Sequence, residues 1–334
     1  MILIVVYHLL RLSLPGGFLA VEVFFTLSGF LIASKLFAAY KKGEKMSFWR
    51  FVWSRVKKFY PAMIMCVILT LTFGYFAAPD MMTRARENTL AALTFSTNIV
   101  DIVNGTSYEA QIIPNVFQHF WFLALILQIY IIIYGIMWLT MGIKQKYRDG
   151  VKLTMWVAGG LAVASYTLMA IYGGRYGLYD RAYFGPDTHL GGFMLGVVLA
   201  GIATLKSEIK PAKKTWSRVK YAGMLVAAMG VVLGLAFLVR YEDARVFEWA
   251  LAATALLTTV AIWAILKLQS EKRHKWLVAT EYLGGLSFYL YLFHWPLFVL
   301  LPSFIVADQW VIALVAGGGS LLLAVVADKI WSKK

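Results

Sequence analysis

Two ionisable side chains stand in the first two apolar segments of this chain, His8 in "VVYHLL" and Glu22 in "FLAVEVFF". In hydrocarbon such groups are costly, and they are kept where they serve a purpose. Depth pairs them. With a first helix ending near Arg11 and a second starting near Phe18, His8 lies about 4–5 Å and Glu22 about 6 Å below the same boundary. The helices are sequential and antiparallel, joined by the tight "SLPGG" turn. A carboxylate that holds one imidazole nitrogen leaves the other to act as base or nucleophile. A structural hydrogen bond or an interfacial histidine is the plainer account of either residue alone.

Other polar residues mark further candidate positions. "FFTLSGFLI" (Phe24 to Ile32) sets Ser28 and Gly29 on the second helix, where small residues also serve close helix packing. "SFWRFVWSRVKKFYP" (Ser47 to Pro61) is basic and amphipathic, leading into the third helix. Its Arg50, Arg55, Lys57 and Lys58 suit anionic lipid or the phosphates of a cofactor. His119, beside Trp121 in "FQHFWFLALILQIY", is a substrate contact or an interfacial anchor. "YDRAYFGPDTHLGGF" gathers Tyr179, Asp180, Arg181, Tyr183, Asp187 and His189 at the end of another helix, a set suited to a polar acceptor such as a glycan. His294, in "YLFHWPLF", is either a substrate contact or a satisfied buried histidine, and Pro296 after it frees a backbone carbonyl.

These residues need helices that cross a membrane. The 334-residue chain is 60% hydrophobic and 15% charged, with a mean hydropathy of +0.70. That composition excludes an ordinary soluble domain. Apolar runs fit to span a bilayer fall at 17–36, 59–78, 119–142, 155–172, 189–205, 219–239, 247–267, 283–300 and 306–327. Run 1–10 is too short to cross and reads as the outer half of a first helix truncated at its N-terminus. It has no basic n-region or A-x-A-like site of the kind a signal peptide carries. The expected fold is therefore all-α and polytopic, one bundle of about ten transmembrane helices. Segment 79–118 is extracytoplasmic and lies along the interface or re-enters the bundle.

Charge gives the orientation. With the first helix running outward, 25 Lys and Arg fall on the cytoplasmic side and 7 outside, while acidic residues divide 6 to 11 the other way. The positive-inside rule is satisfied, so the net charge of +15 reports topology and no nucleic-acid partner is expected. The single Cys66 allows no internal disulfide. No metal-binding, Walker, dinucleotide or G-x-S-x-G motif is present, and no metal is expected.

Taken together, "YH" at Tyr7 and His8, "GGFLAVEVFFTLSGFLI" at Gly16 to Ile32, "RVKKFYP" at Arg55 to Pro61 and "LSFYLYLFHWP" at Leu286 to Pro296 resemble the acyltransferase-3 family of membrane O-acyltransferases. "GTSYEAQIIPNVFQHFWFLA" (Gly105 to Ala124) adds a likeness to the transmembrane domain of Gram-positive peptidoglycan O-acetyltransferases. The resemblance implies a single acyltransferase transmembrane domain over 1–334 in a bacterial plasma membrane, basic loops cytoplasmic. It implies acetyl-CoA as donor and a hydroxyl of an extracytoplasmic cell-wall or surface glycan, peptidoglycan foremost, as acceptor. It carries the catalytic histidine onto His8, its acidic neighbour onto Glu22 and the donor-side basic motif onto Arg55 and Lys58. Tyr183 is a relay hydroxyl if the acetyl group passes onward to an extracytoplasmic SGNH-type transferase domain or partner; no SGNH-type domain is read in this chain. Ser28, His119, Asp187 and His294 stand as substrate contacts. A transporter or flippase for an acylated lipid or glycan precursor is the rival reading, since it too needs polar residues within the membrane.

Overall fold

A computed structural model of the chain describes residues 1–9, 13–44, 47–109, 114–144, 146–206, 214–268 and 275–331. Among these residues the regular structure is entirely helical. Eight helical stretches have the length and apolarity to cross a membrane, among them α2 (Ala20–Lys41), α3 (Phe48–Ala77), α6 (Phe120–Ile143) and α10 (Thr215–Leu238). The shorter α9 (Leu190–Leu205) and the eight-residue α1 (Ile2–Leu9) account for the two remaining expected runs. The chain is an all-α multi-pass membrane protein. Large apolar side chains stand exposed on the outward faces of its helices, as with Phe73 and Phe76 on α3 and Phe237 and Leu238 on α10. Lipid is the solvent such faces require.

Helix boundaries differ from the hydropathy runs mainly where polar ends extend a helix. The basic stretch before Pro61 is not a separate lead-in, since α3 runs unbroken from Phe48 through Pro61 to Ala77. Segment 79–118 holds a 3-10 turn at Pro79–Met82, α4 (Ala85–Leu93) and α5 (Thr97–Val103).

The chain divides into two compact units. The first comprises Met1–Gly17, Trp53–Leu125 and Lys272–Lys334. Here α1 packs on α12 (Lys275–Leu300) and α13 (Gln309–Trp331), with Val5 and Leu9 meeting Ala313 and Ala316 beside Leu297 and Phe298. The Gln309 amide donates to the Leu9 carbonyl at 3.4 Å, satisfying a carbonyl at the end of α1 that has no partner within its own helix. A Cβ on Gly17 would stand 2.5 Å from Tyr7 Cβ, so the backbone at position 17 comes this close to α1 only with glycine there.

α12 continues through Pro296. Proline has no N–H, which leaves the carbonyl four residues earlier, that of Leu292, without its helical donor. His119 Nε2, at 3.0 Å, and the Cys66 thiol, at 3.2 Å, take its place. A helix fault thus ties three distant parts of the sequence together.

The second unit comprises Phe18–Val52 and Ile126–Glu271. Its centre is the crossing of α2 and α9, made close by glycine on both sides. A Cβ on Gly29 would lie 2.0 Å from the Phe193 carbonyl oxygen, and one on Gly196 would lie 2.1 Å from that of Thr26. Gly29 of "TLSGF" is therefore a packing residue. α7 (Tyr147–Met169) packs on α9, and α10 on α11 (Leu251–Leu268). Two π-helical segments, Ala170–Arg175 and Val246–Ala250, pack together, Phe247 resting against Gly173.

Candidate active site

In the first unit, His8 is half-buried near the end of α1. Its Nε2 faces the Tyr108 hydroxyl at 3.4 Å. The rings of Trp295 and His294 lie 4.8 and 5.4 Å from the imidazole, and His119 lies 6.0 Å beyond His294. Three of the chain's five histidines are thus gathered from α1, the start of α6 and α12. His119 gives its Nε2–H to Leu292, and His294 Nδ1 lies 2.6 Å from its own helix's Tyr291 carbonyl. A carbonyl partner requires a proton on His119 Nε2 and on His294 Nδ1, and it fixes the orientation of both rings.

His8 opens on a cavity of about 240 Å³ with Tyr7, Tyr108, Glu109, Gln118 and Trp295 among its lining residues. The Tyr7 hydroxyl donates to the Glu109 carboxylate. Gln118 anchors the wall by donating to the Ser107 carbonyl at 3.0 Å, and the Trp295 indole N–H donates to the Asn115 carbonyl at 2.8 Å. An imidazole nitrogen facing a hydroxyl at the wall of a cavity is an arrangement that can serve general-base chemistry on a hydroxyl.

In the second unit Glu22 and His189 are both fully buried. Depth along the chain pairs Glu22 with His8; in the structure its hydrogen-bonded histidine is His189, whose Nδ1 lies 3.1 Å from Glu22 Oε1. The Tyr166 hydroxyl reaches Oε2 at 3.5 Å. His189 is placed by the turn before α9. There the Thr188 hydroxyl donates to the carbonyls of Ala182 and Gly185, and Ser165 donates to Thr188 and accepts from the Gly191 N–H. Gly192 leaves room for the carboxylate, since a Cβ there would come within 2.1 Å of Glu22 Oε2.

Tyr183, on α8 (Tyr179–Phe184), is buried beside this pair, its ring 4.9 Å from His189 and its hydroxyl donating to the Phe18 carbonyl at 3.3 Å. Arg181 grips Asp187 through two hydrogen bonds of 3.0 and 2.8 Å. Against the cost of partial burial, that guanidinium holds the Asp187 carboxyl below the usual carboxylate range. Ser28 stands half-buried on α2.

The basic residues all lie on α3. Arg50, Lys57 and Lys58 are exposed and Arg55 is half-buried. Arg50 and Lys57, seven residues apart, share one helical face, and Lys57 rests over the Trp53 ring at 5.6 Å. Among the described residues no group of three His, Cys, Asp or Glu side chains is placed to hold a metal ion.

The family model of the acyltransferase-3 domain, described as an acyltransferase domain, matches residues 1–329. The chain belongs to the acyltransferase-3 family. This acyltransferase-3 chain is 29% identical over 311 residues to the O-acetyltransferase OatA of Staphylococcus aureus (strain NCTC 8325 / PS 47), covering 92% of this chain and 50% of that protein. A second S. aureus protein bearing an O-acetyltransferase name (strain COL) is 28% identical over 316 residues, with the same coverage of 92% and 50%. The chain spans about half the length of the curated relatives it matches. No solved structure matches it.

Several residues of this acyltransferase-3 chain enter the two clusters without having been singled out in the sequence. Tyr108 and Glu109 sit in the "GTSYEAQ" stretch, where a carboxylate in a moderately apolar segment between spans was the available signal. Trp295 stood in the sequence only within the "LSFYLYLFHWP" stretch, with no role of its own. Tyr166 lies within an apolar run and carries no signal of its own.

Proposed function

We propose that this chain is a membrane O-acetyltransferase domain that moves an acetyl group from cytoplasmic acetyl-CoA to a hydroxyl of an extracytoplasmic glycan, peptidoglycan being the acceptor. The observation that carries the proposal is His8 Nε2 facing a hydroxyl, that of Tyr108 at 3.4 Å, at a cavity that both residues line. Membership of the acyltransferase family and likeness to O-acetyltransferases supply the reaction class.

In the proposed step an acceptor hydroxyl takes a position near that of the Tyr108 hydroxyl. His8 removes its proton as the oxygen attacks the thioester carbonyl. The carbon–sulfur bond then breaks, and the imidazolium returns the proton to the departing thiolate. Arg50, Arg55, Lys57 and Lys58 are the proposed contacts for the phosphates of the donor, a role suited to charge-assisted hydrogen bonds. The excess of Lys and Arg in the loops assigned to the cytoplasm supports reading that helix end as the donor's side.

The pair of Glu22 and His189 is assigned a positioning role in its own unit, and Asp187, Ser28, His119 and His294 are assigned to shaping or contacting the acceptor. The test is mass spectrometry of muropeptides and surface polysaccharides from cells with the gene, without it, and with His8→Ala. Acetyl on one glycan that disappears in both altered strains is the expected result. Unchanged O-acetylation in the His8→Ala strain would overturn the proposal.

A further inference from the structure

The second unit carries a groove far from the histidines in sequence and in kind. α7 and α11 each pack on α9, and the groove runs between them with Leu195 of α9 among its lining residues. Its volume is about 640 Å³, within the ~300–1,000 Å³ usual for ligand sites. Gly159, Val163, Tyr166 and Ala170 line one side, spaced so that they form a single stripe along a helix. Glu248, Ala252 and Leu256 line the other, from α11 and the π-helical turn before it. The hollow comes from small residues, since even a Cβ added to Gly159 would meet nothing within 4 Å. Its rims are open, with Val163 69% and Leu256 55% exposed. Beyond such rims in a membrane-spanning chain lies hydrocarbon.

One end of the groove is charged. Arg175 and Glu248 both line it, at the ends of the membrane-spanning stretches Tyr147–Arg175 and Val246–Leu268. Nearby, Arg181 pairs with Asp187 and Arg245 with Asp243, and Arg245 is also within electrostatic reach of Glu248. From Gly159 to Ala170 the apolar stripe is about 16 Å long as a helix, close to half of a ~30 Å bilayer core. The groove therefore offers an apolar slot of one leaflet's depth that ends in a cation and an anion. We propose that it seats one acyl chain of a zwitterionic bilayer phospholipid, a phosphoethanolamine lipid, with the phosphate at Arg175 and the ammonium at Glu248. Such a lipid joins a chain to two opposite charges in the same order. Guanidinium with phosphate and carboxylate with ammonium are both charge-assisted hydrogen-bonding pairs.

The test uses the full chain, purified and delipidated in detergent. It is titrated with phosphatidylethanolamine, phosphatidylglycerol and diacylglycerol of the same acyl chains, and adducts are read by native mass spectrometry. Phosphatidylethanolamine should bind about threefold to fivefold more tightly than each of the others, the range of an exposed ion pair. Glu248→Gln should erase its preference over phosphatidylglycerol, and Arg175→Gln its preference over diacylglycerol. Gly159→Leu projects into open space, so it should fold normally and weaken the binding of all three lipids about tenfold by filling the slot. Equal binding of the three lipids by the wild-type chain would overturn the proposal, as would binding left unchanged by Gly159→Leu. A wild-type dimer that Gly159→Leu splits would assign the groove to a second copy of the chain and equally overturn it.

Discussion

The first unit's histidine cluster and the second unit's Glu22–His189 pair use the same residue types to opposite ends. His8 is half-buried, lines a cavity and turns Nε2 toward a hydroxyl. Glu22 and His189 have no exposed surface and meet each other at 3.1 Å. A reacting imidazole needs room for a substrate on one side. A buried carboxylate needs every lone pair engaged, and the second unit builds a turn of Thr188 and Ser165 hydrogen bonds to bring a donor to it. The difference teaches that an ionisable pair within a membrane is not by itself a site. Access distinguishes the two.

The largest effect that bears on this contrast is on stability. Glu22→Ala leaves the buried His189 Nδ1 without its hydrogen-bond partner and should cost about 1–3 kcal/mol, as an unsatisfied buried polar group does. Thermal unfolding in detergent reads it directly. Glu22→Gln, which keeps an acceptor, should unfold close to wild type. Equal melting of Glu22→Ala and wild type would erase the distinction drawn between the two clusters.

A smaller effect belongs to the cavity side. Tyr108→Phe removes a hydroxyl from beside His8 and should slow acetyl transfer several-fold, by about 0.5–1.5 kcal/mol, with melting unchanged. A melting shift with normal transfer would place Tyr108 among the structural residues.

The smallest effect concerns the Arg181–Asp187 pair at the edge of the second cluster. Its folded carboxyl is held below the ordinary value, so its stabilisation is present above the unfolded pKa of about 3.9 and is lost as pH falls through the folded one. Because the pair is about one-third exposed, with side-chain exposures of 31% and 37%, no more than about 1 kcal/mol is expected. Asp187→Asn should flatten the dependence of melting on pH below about 4. An unchanged acid slope would show that the pair contributes nothing there.

The helices were legible in the sequence because membrane spans need only length and apolarity, and each run from 17–36 to 306–327 has a helix in the structure. Gly29 was legible as a packing residue for the same reason, since small residues announce close helix contact. The partner of Glu22 was not. Counting residues gives depth along a helix and says nothing of which neighbour its face meets, and His189 reaches that face by way of a turn far along the chain. Glu109 lay in a loop-like stretch whose periodicity says little, and only folding brings it to the cavity of His8. The Pro296 fault was legible in part. A freed carbonyl was predictable from the proline, whereas His119 and Cys66 as its new partners were not.

The central claim is that His8 performs the transfer and does not hold the fold. It is tested by measuring acetyl transfer to muropeptide and thermal unfolding of the His8→Ala chain on one preparation. Transfer should fall by about 10²–10⁴-fold, the contribution of a general base, with melting at the wild-type temperature. Transfer at the wild-type rate, or a loss that follows unfolding, would contradict it.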